Sequence, residues 1–264
     1  MELETVVTTK KEWFNRMTST INVERKPWEE KYFHCPVYHI ELNIDYGPYS
    51  RQYMDAHQLV FEWERTLPFE KNYQYIWVDS KDIPIIASLE LGGFHHLVTT
   101  VELEKKVEKF EWSKPMIRIG ILVKKDIPYL EKLGGESFIY GRLPAESHNI
   151  DSYALHAEWV RNCCNGKQAD VVLVAYDILD IPIGFIALKK KNDNCNIVLI
   201  AVESEYRGGG IGTALLEEAN NVARSNNLYK MTVRTELPSI AALNMYQKNG
   251  FRITGGGVYL GRYG

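Results

Sequence analysis

The sequence predicts a mixed α/β (α+β) protein in which a small N-terminal α/β domain precedes a larger C-terminal domain. Three observations predict it. Strand-like and helix-like stretches alternate along most of the 264 residues. Three strands follow one another directly between residues 171 and 202, as an antiparallel meander. A highly charged run, Glu102 to Lys114, closes before Pro115 and reads as a solvated linker, dividing the chain into 1–112 and 113–264. With 45% hydrophobic and 25% charged residues, the chain can bury a proper core without disulfides or a structural metal.

In the first part, residues 36–44 alternate apolar and polar side chains, with Tyr38, Ile40, Leu42 and Ile44 on one face of a strand. Gly and Pro between Asp45 and Ser50 break it. Residues 51–65 read as a helix, Tyr73 to Val78 as a short aromatic and β-branched strand, and Asp82 to Leu91 as a helix stopped by Gly92-Gly93. A strand from His95 to about Glu104 follows. The second part runs strand (Ile117 to Val123), short helix (Ile127 to Leu133) and helix (Ser152 to Cys164). The meander comes next: Val171 to Tyr176, Pro182 to Lys189 and Asn196 to Val202. Strand Tyr229 to Thr235, helix Ser239 to Lys248 and a last strand end the order. Gly93-Phe94 and Gly250-Phe251 sit at matching points of two strand–helix–strand units. Two readings of that match stand: a degenerate internal repeat, which makes the first part a half-copy of the second, or the frequent ending of unrelated helices at Gly.

Charge and cysteine usage exclude several classes. Against 34 acidic residues stand 31 basic ones, so the formal charge of -3 lacks the basic excess of a nucleic-acid binder. No apolar run approaches the roughly 20 residues that span a bilayer, and the first ten residues carry early acidic side chains with no apolar stretch, so neither a membrane partner nor a secretory signal is expected. Cys35, Cys163, Cys164 and Cys195 show no C-x-x-C spacing and read as free thiols in a reducing, cytoplasmic compartment. His95-His96 lack a third ligand at helical or hairpin spacing, so no metal site is expected.

The chemistry sits in residues 200–216, a strand, a glycine-rich turn and an amphipathic helix in immediate succession. On that helix Ile211, Leu215, Ala219 and Val222 share a face. A glycine-rich turn feeding a helix start leaves several N–H groups without intrahelical partners at the positive end of the helix dipole, which suits an anion, with phosphate the natural candidate. Gly208, Gly209, Gly210 and Gly212 let the backbone approach closely, the Thr213 hydroxyl can add a hydrogen bond, and Arg207 can meet a phosphate or brace the loop. A Walker A loop fails because no lysine separates Gly212 from Thr213. The dinucleotide fingerprint fails as well, since Thr213 or Leu215 stands where its last glycine belongs.

Arg207-Gly208-Gly209-Gly210-Ile211-Gly212 is similar, residue for residue, to the Arg/Gln-x-x-Gly-x-Gly/Ala signature of the Gcn5-related N-acetyltransferases (GNAT). The resemblance extends to the apolar strand ending in Val202, to Tyr206, and to Ala242-Leu243, Tyr246 and Asn249-Gly250-Phe251, covering about Val171 to Phe251. It implies the GNAT fold, a mixed, mostly antiparallel central sheet flanked by helices, and acetyl-CoA as co-substrate. The pyrophosphate of acetyl-CoA would lie on Arg207 to Thr213, including the Ile211 amide, and its pantetheine arm along Ala201 and Val202. A backbone N–H near Val202 would serve as oxyanion hole. Tyr246 would be the general acid for the thiolate. Ser239 stands where the family usually has a cofactor-contacting asparagine. For the general base, Glu203, Glu205, Glu236, His148 and a water relay remain open.

Outside the core motif the chain resembles the acetyltransferases that act on dTDP-4-amino-4,6-dideoxygalactose (dTDP-fucosamine), which also carry a small leading domain. The matches are Trp28 with Phe33 and Val37, Leu91 to Phe94, Phe138 with Arg142, Tyr153, Trp159 to Asn162, Gly166 and Tyr259-Leu260. That resemblance implies an amino-sugar nucleotide as the small-molecule amine acceptor, with Arg142 and Tyr153 on the acceptor side. Other small amines or peptides as acceptors, a non-catalytic acetyl-CoA-binding module, and a homodimer all stay open.

Overall fold

The computed structural model describes residues 7–13, 17–44, 48–67, 71–108, 117–138 and 150–264. Two compact units make up the chain. The first holds residues 1–100, 141–150 and 256–264, and the second holds 101–140 and 151–255. This differs from the expected division at 112/113 in returning the last residues to the first unit.

In the first unit, strands β1 (Val7–Trp13), β2 (Met17–Arg25), β3 (Val37–Asn43) and β4 (Tyr73–Asp79) lie in that order, with β11 (Arg252–Tyr263) beyond β4. Helix α1 (Pro27–Phe33) joins β2 to β3, and α2 (Tyr49–Glu64) crosses from β3 to a parallel β4. The other pairings are antiparallel. One face buries Ile21, Ile40, Ile76, Val78 and Leu260 under Trp63 of α2 and Leu89 and Phe94, which flank the end of α3 (Ile83–Leu91). Strands β1 and β2 and helix α1 are absent from the sequence reading.

The second unit is the expected fold. Strand β5 (His95–Lys106), which begins in the first unit, is followed across the sheet by β10 (Lys230–Glu236), β9 (Asn194–Val202), β8 (Pro182–Lys191), β7 (Val171–Tyr176) and β6 (Arg118–Ile121). Pairings from β6 through β9 are antiparallel and β9 with β10 is parallel. Helices α4 (Ile127–Ser137) and α5 (Ser152–Cys164) cover one face over Val174, Phe185, Leu199 and Ala201. Helices α6 (Ile211–Ser225) and α7 (Ile240–Lys248) cover the other, over Leu173, Ile186, Ile197 and Met231. Gly134 and Gly135 let α4 and α5 touch, since a β-carbon at 134 would run into Val160 and one at 135 would lie 2.6 Å from the Tyr153 ring.

The charged run begins as strand, not linker. Val101 and Leu103 of β5 are buried, and the alternating Glu102 and Glu104 pair with Arg234 (2.5 Å) and Lys230 (2.6 Å) of β10. Charge along one strand is thus matched by charge across it. Among the described residues no helix is long and apolar enough to cross a membrane.

Strand β11 completes the first unit. It pairs with β4 from Gly257↔Asp79 to Tyr263↔Tyr73. Its glycines lie under aromatic rings: a β-carbon at 257 would collide with the Val78 carbonyl oxygen and lie 2.5 Å from the Trp77 ring, and one at 261 would lie 2.5 Å from the Tyr73 hydroxyl. Arg262 anchors the end. Its guanidinium stacks 4.4 Å from the Phe94 ring centroid, donates to Gln74 Oε1 at 3.1 Å and to the Gly92 carbonyl, and pairs with Glu64. Gly257→Val should therefore destabilise the protein by about 2 kcal/mol or more, read as a lowered urea midpoint.

Both strand–helix–strand units close their helices identically. In the first, Gly93 N–H donates to Glu90 and Phe94 N–H to Leu89. In the second, Gly250 N–H donates to Gln247 and Phe251 N–H to Tyr246. Gly93 and Gly250 have φ of 87° and 83°, the left-handed conformation that this helix ending requires.

Candidate active site

Strands β9 and β10 pair only from Asn194↔Lys230 to Ile197↔Val233. Beyond that point β9 runs five residues further to Val202 and β10 three further to Glu236, without pairing to each other. A parallel pair that parts in mid-sheet leaves one edge of β9 open. The expected cofactor-binding residues Ala201 and Val202 lie at the end of that edge.

Successive amides of a strand point to opposite edges. Glu203 N–H donates to the Ile183 carbonyl of β8 at 2.9 Å, so the Val202 N–H faces away from β8, toward the open side. The Val202 carbonyl on that side already accepts the Arg207 Nε–H at 2.9 Å. Arg207 thus ties the loop to the end of β9 through its Nε, and the Val202 N–H is the backbone donor directed at the gap. Gly184, opposite Val202 on β8, is needed for this approach, because a β-carbon there would lie 3.0 Å from the Ala201 carbonyl oxygen.

After a short 3₁₀ turn (Ser204–Tyr206), Arg207 to Gly210 form the loop and Ile211 opens α6. Gly208 and Gly210 adopt φ of 81° and 82°, and nothing lies within 4 Å of where their β-carbons would stand. The loop is therefore a bare backbone cradle at a helix N-terminus, with space above it. These features fit a pyrophosphate. Gly212 also lets α6 approach α7: a β-carbon there would lie 2.5 Å from Met245 Sδ.

Thr213 is already engaged. Its Oγ1 accepts from Asn249 Nδ2 at 3.1 Å, and the same amide nitrogen donates to the Met245 carbonyl. Asn249, a residue without an expected role of its own, thereby ties the end of α7 to the start of α6. That tie positions Tyr246, which shares a core cluster with Ile211 and Leu243, with Val202 packed against it. Tyr246 is 2% exposed, and its ring meets Phe251 edge-on at 5.4 Å. Burial, and then the Glu236 carboxylate, push its phenol well above the ordinary value, so it stays protonated.

The remaining expected residues are placed less centrally. Ser239 stands at the N-cap of α7 without a side-chain capping bond. Tyr153 is exposed on α5, with its ring against Gly135 of α4. Arg142 and His148 lie outside the described residues. The four cysteines are free, and burial raises the thiols of Cys163 and Cys164 to about 12 and that of Cys195 to about 11, leaving them inert as nucleophiles.

Residues 168–253 match the family model described as an acetyltransferase (GNAT) domain. The chain carries a GNAT acetyltransferase domain. It is the domain of an N-acetyltransferase that takes acetyl-CoA as co-substrate, and it contains every residue of the parted strands, the loop and α7. Among curated relatives, the spore coat polysaccharide biosynthesis protein SpsD of Bacillus subtilis is 22% identical over 242 residues, 90% of this chain and 81% of that protein. The dTDP-fucosamine acetyltransferase of Escherichia coli O6:H1 is 27% identical over 139 residues, 52% of this chain and 59% of that protein. A GCN5-related N-acetyltransferase from Sphaerobacter thermophilus shares the fold, with a TM-score of 0.62 at 12% identity over 93% of this chain and 76% of that one.

The cradle of the GNAT domain makes a direct prediction. Gly210→Glu should weaken acetyl-CoA binding at least about 100-fold, or about 2.7 kcal/mol, by setting a carboxylate against the pyrophosphate. At a φ of 82° a side chain at 210 costs about 1 kcal/mol but meets nothing within 4 Å, so calorimetric titration with acetyl-CoA and a folded circular dichroism spectrum check both halves.

Proposed function

We propose that the chain is an acetyl-CoA-dependent N-acetyltransferase of the cytoplasm that acetylates the primary amine of an amino-sugar nucleotide. The parting of β9 from β10 beside the glycine cradle, with Tyr246 in the core cluster that also holds Ile211, carries the catalytic part of this reading. The names of two relatives, one in spore coat polysaccharide biosynthesis and one acting on dTDP-fucosamine, support the acceptor class. Four free thiols support a reducing compartment. The charge of -3 argues against nucleic acid as a partner.

Acetyl-CoA supplies the activated acetyl thioester. The amides of Gly208 to Thr213 hold its pyrophosphate, and the hydroxyl of Ser239, unused as a cap, is left for a further contact. The Val202 N–H faces the place where negative charge develops on the carbonyl oxygen, where a fixed dipole counts most. Tyr246 donates its proton to the departing thiolate. On the acceptor side, Arg142 and Tyr153 are the residues assigned to the sugar nucleotide. The first unit is a degenerate half-copy without its own acid: Leu89 occupies the place in its helix ending that Tyr246 holds in the second unit.

Thiol release from acetyl-CoA, with product mass confirmed, tests the reading against dTDP-4-amino-4,6-dideoxygalactose, simple amines and peptides. Acetylation of the sugar nucleotide is expected. A peptide or another amine as sole acceptor would replace the substrate class, and tight acetyl-CoA binding without any turnover would leave a binding module. Tyr246→Phe should lower kcat about 100-fold with acetyl-CoA affinity unchanged. Because the acid must be protonated and its ionisation is shifted upward, kcat should not fall on the alkaline side below about pH 10.

A further inference from the structure

The sheet ends at β6, and among the described residues no strand pairs with its outer edge. Leu122 N–H donates to the Val172 carbonyl at 2.9 Å. By the alternation of an antiparallel ladder, Gly120 and Arg118 then also turn their backbone groups toward β7, while Ile119 and Ile121 turn theirs outward. Both leave an N–H and a C=O on an open edge. Such an edge is a template for another strand unless a charge, a proline or a bulge blunts it. Neither proline nor bulge interrupts β6. Its one charge, Arg118, is drawn off the edge: Nη2 pairs with Asp180 at 2.7 Å, and the guanidinium lies 3.8 Å from the Tyr176 ring centroid.

Apolar side chains stand in water at both ends of this edge. At one end Ile121 is 74% exposed, and Val123 follows it, exposed and in extended backbone. At the other end the turn between β7 and β8 presents Ile178 and Leu179, 94% and 73% exposed, and then Ile181. None of these five side chains belongs to a core cluster. The turn is firmly built. Asp177 Oδ1 accepts the N–H groups of Leu179 and Ile181 at 2.8 Å each, and Asp177 N–H donates to the Ile181 carbonyl at 2.9 Å. Arg118 holds Asp180, whose φ of 62° is left-handed. A turn so tied keeps its aliphatic side chains presented to solvent, where polar residues are usual.

We propose that a second copy of this chain covers this surface, with β6 pairing antiparallel to β6 of the other copy about a two-fold axis. A two-fold axis through an edge strand generates that antiparallel pairing, and the interface it makes is self-complementary. Arg118 of β6 lies opposite Tyr176, next to the β7–β8 turn, and Ile121 lies opposite Leu173, away from it. The axis therefore sets the turn of each copy beside the 121–125 end of the other. Ile178 and Leu179 of one copy come against Ile121 and Val123 of its mate, and the acidic Asp177 and Asp180 approach the exposed Lys124 and Lys125. Each end of the surface thus supplies what the opposite end lacks, apolar against apolar and acid against base. That complementarity favours a second copy over an unrelated partner.

Sedimentation velocity on the full chain over a concentration series should show a species of twice 30.5 kDa. Ile121→Lys sets a charge on the edge, and a second variant, Ile178→Asp with Leu179→Asp, leaves β6 itself unchanged. Each should raise the dimer dissociation constant at least about 100-fold, because every substitution counts twice across the axis. All three side chains are exposed, so both variants should keep a folded circular dichroism spectrum. Hydrogen exchange distinguishes edge pairing from any other dimer: residues 117–123 should exchange slowly in the wild-type dimer and rapidly in the turn variant. A wild type that stays monomeric, a dimer that survives both variants, or an edge that exchanges alike in the dimer and the turn variant overturns the proposal. None of these outcomes touches the acetyltransferase assignment, which rests on other residues.

Discussion

The site depends on one constraint: a parallel strand pair that holds together for four residues and then parts. A continuous ladder between β9 and β10 would engage the Val202 amide in the sheet and leave no edge for an extended ligand. The parting has a cost, because unpaired strand amides need other partners. The protein supplies some of them locally, through Arg207 on the Val202 carbonyl and β8 on the Glu203 amide. The core beneath the paired segment, with Met231 fully buried and Ile197 and Val233 nearly so, keeps the two strands together up to the parting point.

Around that gap, each group is held by an element other than the one that carries it. Asn249 bridges α7 to α6 and sets Tyr246 against the start of the cradle. Met245 fills the place that only a glycine at 212 leaves open. Asp126 ties the start of α4 to β7. A reaction that needs donors and acceptors fixed to a fraction of an ångström is better served by such cross-ties than by loops.

Much of this was legible in the sequence. The glycines before an amphipathic helix announced the cradle, because few other patterns set so many unpartnered amides at a helix start. The strand–helix–strand order around Tyr246 was equally readable. What stayed hidden depended on partners distant in sequence. Glu102 and Glu104 looked like linker because their neutralising cations lie more than 120 positions away in β10. Asn220 does not belong to the apolar face read on α6, yet it is 3% exposed and its amide pairs with both backbone groups of Glu108. Strand β2, by contrast, did carry a signal, since Ser19, Ile21 and Val23 alternate and all three are buried.

The return of residues 256–264 to the first unit bears on how the chain is made. A ribosome releases the N-terminal portion first, at a rate that puts on the order of 10 s between residue 100 and residue 256. Through that interval the edge of β4 that β11 will cover, with Ile76 and Val78 along it, lacks its neighbour. The first unit thus emerges early but closes late, so its folding is timed by synthesis of the second. That delay exposes an apolar, unpaired strand to other nascent chains, the circumstance in which a cell's chaperones are most needed.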